Sequence, residues 1–171
     1  MDVDLVRLWE YLADARGHMF TSVRSQPPDV YTRRFPFGLG SIRATLLHIA
    51  AAEWAYVERL RGRDHPLADS PFAAERLPTV DALESAWGEQ AALTRTALAT
   101  LGDPRRPVEF ISRVGPRPVR ARATAGEIVI HMALHEVHRR SQVMAMLRHA
   151  GVRAENLDYS ILAFMRASID G

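Results

Sequence analysis

The 171-residue chain contains no cysteine and no lysine. Without cysteine there is no disulfide framework, no zinc ribbon and no thiol nucleophile. Without lysine, all 22 basic side chains are arginine, which stays protonated far above neutrality. The pI is therefore about 9.5 although the formal net charge is only +2. So high a pI on so small a charge is no footprint of nucleic-acid binding, and the arginines are spread among 20 acidic residues. The densest basic tract, Arg113 to Arg122, alternates Arg with Pro and Val and reads as a solvated strand or hairpin. No apolar run reaches the roughly eighteen residues a membrane helix needs. The opening stretch MDVDLVRLWEYL is acidic and amphipathic, without the basic start of a signal peptide. The expectation is one cytoplasmic domain over residues 1–171, without internal repeats, a nucleic-acid partner or a membrane partner. That length suffices for a core without staples.

What the chain has is helical period. Apolar residues at spacings of three and four predict a helix over residues 3–24, stopped by Pro27 and Pro28. Residues 27–40, PPDVYTRRFPFGLG, read as a loop packed over the domain. Ser41 caps a second helix ending near Gly62, and His48 lies in its apolar stripe just before Ala51 and Ala52. A proline-containing loop with His65 follows, and Thr79 caps a third helix over residues 80–101. VEFISR and VRARA alternate on either side of Gly115-Pro116, which predicts a short β-hairpin or extended crossover within 107–124. Thr124 and Glu127 form a capping box that opens a last long helix, stopped by Gly151. Residues 156–169 carry helical spacing suited to a short docking helix or a partner surface. Four amphipathic helices with a crossover before the last predict an all-α four-helix bundle, the hairpin lying across one end.

The last long helix carries His131, His135 and His138, at spacings of four and three, on one face. Each neutral imidazole needs a partner for one N–H and one lone pair, and a divalent metal partners several at once. The blander alternative has His135 and His138 bonded to Glu136, Glu53 or the backbone, with His131 at a subunit interface. With His48 facing the stripe from another helix, the two readings tie. Helix geometry points Glu53 away from His48, and makes Glu136 a partner of Arg139 or Arg140 at i+3 and i+4. His18, near the end of the first helix, reads as solvated or as a cap for the last carbonyls.

LLHIAAAEWAYVERL and HMALHEVHRRSQVMAMLRHAGV resemble the DinB/YfiT-like superfamily, and the resemblance covers nearly the whole chain in order and spacing. It implies an up-down-down-up four-helix bundle, often dimeric. It also implies a divalent metal, commonly zinc or nickel, held by one His of the second helix and two of the last. Some members are thiol-dependent S-transferases or isomerases that use low-molecular-weight thiols. His48 matches the second-helix ligand in its Leu-Leu-His-Ile-Ala context, and His135-Glu136 matches the start of the last-helix motif His-Glu-x-x-His. The residue four beyond His135 is Arg139, while Arg140, Ser141 and Gln142 match the remainder of that motif. A guanidinium does not coordinate a metal. Three outcomes are open: His131 completes the site, the first choice because an i, i+4 pair is a familiar metal geometry; His138 completes it; or the metal is gone and Arg139 binds an anion in the old pocket. The expected partners are a small-molecule substrate, with a low-molecular-weight thiol, and a second copy of the chain.

Overall fold

Side chains that accept hydrogen bonds from free amides set where each long helix begins. In the computed structural model, which describes residues 4–153 and 155–164, Asp4 caps α1 (Leu5–Arg24) and Ser41 caps α3 (Ile42–Leu60). Thr79 likewise caps α4 (Val80–Ala99). Thr124 opens α5 (Ala125–His149) with both bonds of a capping box, its hydroxyl accepting from the Glu127 amide while the Glu127 carboxylate accepts from its own.

The 27–40 segment is not wholly loop: Pro28–Thr32 form a short helix, α2. Proline, read as a stop, also fits the first helical turn, where its missing N–H costs nothing. Beyond α2, Gly38 has φ +62°, and a Cβ there would meet Met146 Cε at 3.0 Å and Gln142 Oε1 at 3.2 Å. Glycine thus suits this close approach to α5, both by its positive φ and by the lack of a Cβ. In the tail the helix α6 covers Tyr159–Leu162, shorter than the expected span. Met165 to Ile169, the rest of that span, lie outside the described residues.

Strands β1 (Pro107–Ser112) and β2 (Val119–Thr124) pair antiparallel, from Pro107 opposite Thr124 to Ser112 opposite Val119. Asp64 accepts from the Ile111 amide at 2.8 Å, and β1 packs on α3 while β2 packs on α5. Each of the four long helices packs against two others: α1 and α3 each contact both α4 and α5. Leu12, Met19, Ile42, Leu46, Ile49, Leu83, Trp87, Met146 and Leu147 are fully buried between them. Among the described residues no helix is long and apolar enough to cross a membrane.

Candidate functional site

Helices α3 and α5 meet along a seam with two chemically different sides. On one side His48 and His135 approach until their Nε2 atoms are 3.1 Å apart, one donating to the other. Both rings are half-buried. The rest of the stripe is placed around this pair without joining it. His131 is exposed, its ring 6.4 Å from that of His135 and edge-on to Tyr56 at 5.4 Å. His138 is also exposed, accepting from Gln142 Nε2 at 3.3 Å. Arg139 is half-buried; its Nη1 donates to Gln142 Oε1 at 3.3 Å, while its Nε is buried with no hydrogen-bond partner.

Tyr56 completes the group and was not singled out from the sequence. Its ring meets His131 and, at 6.1 Å, His135. The signal that could have found it is spacing, since Tyr56 follows His48 by eight residues, just past two helical turns.

The other side of the seam is a buried ionic cluster. Glu53 does point away from His48, into the core, where it accepts from Arg16 at 2.7 Å, Trp87 Nε1 at 2.7 Å and the Thr94 hydroxyl at 2.6 Å. Glu136 accepts from Arg16 at 2.7 Å, so its hydrogen-bonded partner is on α1 rather than Arg139 or Arg140. Position 136 faces inward, where a side chain from a neighbouring helix is closer than one along its own. Arg140 is also buried and donates to the Tyr11 hydroxyl. With these carboxylates engaged, neither serves as partner for His135 or His138. His18 is exposed and paired with Glu155 at 2.9 Å, and His65 lies 3.6 Å from Glu58.

Burial, then the charges of His48 and Arg139, push the His135 pKa down to about 4. His48 is lowered too, by burial first and then by Arg139. Both rings are neutral at pH 7, each with one N–H and one lone pair; moving the shared proton to the far nitrogen of the donating ring would leave a lone pair on both Nε2 atoms. An unfolded histidine titrates near 6.5, so between about pH 6.5 and 4 the His135 side chain holds more protons unfolded than folded. The stability contributed by these histidines is thus full above pH 6.5 and is lost as pH falls towards 4. Burial raises the Glu136 pKa, and its contribution runs the opposite way, lost as pH rises. The histidine part is therefore read as a difference. Chelator-treated wild type should show a steeper loss of urea-midpoint stability than His135→Asn between pH 6.5 and 4; parallel profiles would contradict the lowered pKa.

Two imidazoles on one tetrahedral zinc, at about 2.0–2.1 Å each, hold their nitrogens roughly 3.3 Å apart. The 3.1 Å pair of His48 and His135 fits that separation and supplies two donors. A third is not gathered: among the described residues, no group of three or more His, Cys, Asp or Glu is arranged to hold a metal ion.

The class defined by this fold and site is a helical protein that sets histidines on facing helices beneath a small hairpin. The chain matches the DinB family over residues 1–170 and belongs to it. It is also 22% identical, over 165 residues and 93% of either chain, to Protein DinB of Bacillus subtilis (strain 168).

Proposed function

We propose that this DinB-family protein is a divalent-metal-dependent enzyme acting on a small molecule, by S-transfer from a low-molecular-weight thiol or by hydrolysis. The observation that carries this reading is the 3.1 Å approach of two neutral imidazoles from separate helices. His48 and His135 would hold zinc or nickel, with His131 as third ligand and His138 as the alternative. A divalent ion there supplies Lewis acidity and lowers the pKa of water or thiol. The chain's own residues do the rest: the histidines present lone pairs, the buried cluster holds α3 and α5 in register, and Arg139 holds a carboxylate or phosphate of the substrate.

The proposal includes the up-down-down-up bundle. It is supported by ion pairs Arg24–Asp81 and Glu10–Arg95, which join opposite ends of α1 and α4, and by Tyr56–His131 with His48–His135, which run α3 against α5. It also includes a cytoplasmic location and a homodimer, the dimer supported by the exposed Ile130, Leu134 and Val137 along α5.

A second reading, a metal-free protein that binds a small anion, is favoured by the unpartnered Nε of Arg139 beside the pair. Calorimetric titration with zinc and nickel separates the two. The enzyme reading expects one equivalent bound, lost in His48→Ala and His135→Ala, with whichever of His131→Ala and His138→Ala weakens binding naming the third ligand. Wild type that takes up neither metal sinks it and leaves the anion-binding reading.

A further inference from the structure

We infer that the cleft between the hairpin and the histidine-bearing helices is a binding subsite for a small aromatic carboxylate. Alternate residues of a strand share a face, and directly opposed residues share the same face. Val108 and Phe110 of β1 therefore stand with Ala123 and Ala121 of β2, and Val108 is buried against the helices. The two alanines leave space where larger residues would fill it. The result is a cavity of about 410 Å³ whose walls include Tyr56, Arg59, Phe110, Ala121, Ile128 and His131. That volume suits a small organic molecule.

The cleft neighbours the histidine pair: Tyr56 and His131 line it, and the Tyr56 ring also meets that of His135. Its walls favour a ring, with Phe110 and Tyr56 offering aromatic surface. Its charge favours an anion. The Arg59 guanidinium stands 4.7 Å over the Phe110 ring and 5.5 Å over Tyr56, and its Nε is buried with no hydrogen-bond partner. Asp64 forms an ion pair with that Nε at 3.6 Å, and the same carboxylate also serves the Ile111 amide and Arg113, so one acid is shared by two arginines that line the cleft. Glu127, the acid lining the cleft, is held by the Thr124 amide and hydroxyl at 2.7 and 2.9 Å. An incoming carboxylate would pair with the Arg59 guanidinium that lines the cleft, while its ring lies against the apolar surface of Ala121, Ala123 and Ile128.

The place of this ligand in a reaction rests on the metal-dependent reading, whereas its binding does not, so the test uses chelator-treated protein. Naphthalene carboxylate is titrated by calorimetry against wild type, Ala121→Phe and Arg59→Met, beside the neutral naphthyl alcohol of the same shape. The ring introduced by Ala121→Phe would face Phe110 as a cross-strand aromatic pair, which suits the hairpin while filling the cavity. Circular dichroism checks both folds. The expected result is saturable binding of the carboxylate by wild type, weakened at least about tenfold by either substitution, with the alcohol binding wild type and Arg59→Met equally weakly. No binding to wild type, or binding untouched by Ala121→Phe, overturns the cleft; an alcohol that binds wild type as well as the acid does overturns the carboxylate. Carboxylate binding in the expected pattern by a protein that takes up no metal would remove the metal-dependent reading and leave this one standing.

Discussion

Replacing Arg16 by methionine is expected to lower the unfolding free energy by about 3–5 kcal/mol, the usual cost of stranding a buried ion-pair partner. For a chain of this size that is a drop of roughly 6–20 °C in Tm. Arg16 is 5% exposed and reaches the carboxylates of both Glu53 and Glu136 at 2.7 Å. Burial works against its charge, yet the two carboxylates raise its pKa above the ordinary value. Without it two carboxylates face each other in the core, and the already raised Glu136 takes up a proton. Adding Glu136→Gln to the Arg16→Met protein should therefore recover part of the loss, measured by urea unfolding. A loss below about 1 kcal/mol for Arg16→Met, within the range of exposed pairs, would show that the cluster is not what ties α1, α3 and α5 together.

Replacing Arg139 by histidine should strengthen zinc binding at least a hundredfold, the second large effect. The substitution puts an imidazole four residues after His135, on the same helical face. It also removes a guanidinium whose charge lowers the pKa of both His48 and His135 and opposes a dication beside them. Competition against a chelating dye at pH 7.5 measures it, since both rings are neutral there before and after the change. Unchanged or weaker binding would mean that position 139 does not face the histidine pair closely enough to share a ligand, and would count against His48 and His135 as a metal site. The same variant should bind substrate anions less well, if Arg139 holds them in the wild type.

Glu136 shows where a reading along one helix stops. Its sequence neighbours Arg139 and Arg140 are correctly spaced for i+3 and i+4 pairs, yet its hydrogen bonds go to Arg16, 120 positions away. Tyr56 is a milder case: its spacing from His48 was visible, but its place between the histidines and the hairpin cleft depends on three elements at once. The α2 turn hid behind prolines that stop one helix and start another.

By itself the sequence determined where three of the four long helices begin, at Ser41, Thr79 and Thr124, because a cap joins a side chain to amides two or three residues away and needs no distant partner. It narrowed residues 107–124 to a short hairpin or an extended crossover, through alternation and a Gly-Pro turn, and set the α5 histidines on one face of their helix, through helical period. Only the tertiary structure decided which histidines meet. His48 and His135 touch while His131 and His138 do not, because sharing a helical face fixes direction to within a broad arc, whereas a contact of about 3 Å depends on how two helices are rotated and shifted. That rotation is set by packing and by the buried charges of Arg16, Glu53 and Glu136, contributed by three helices far apart in the chain.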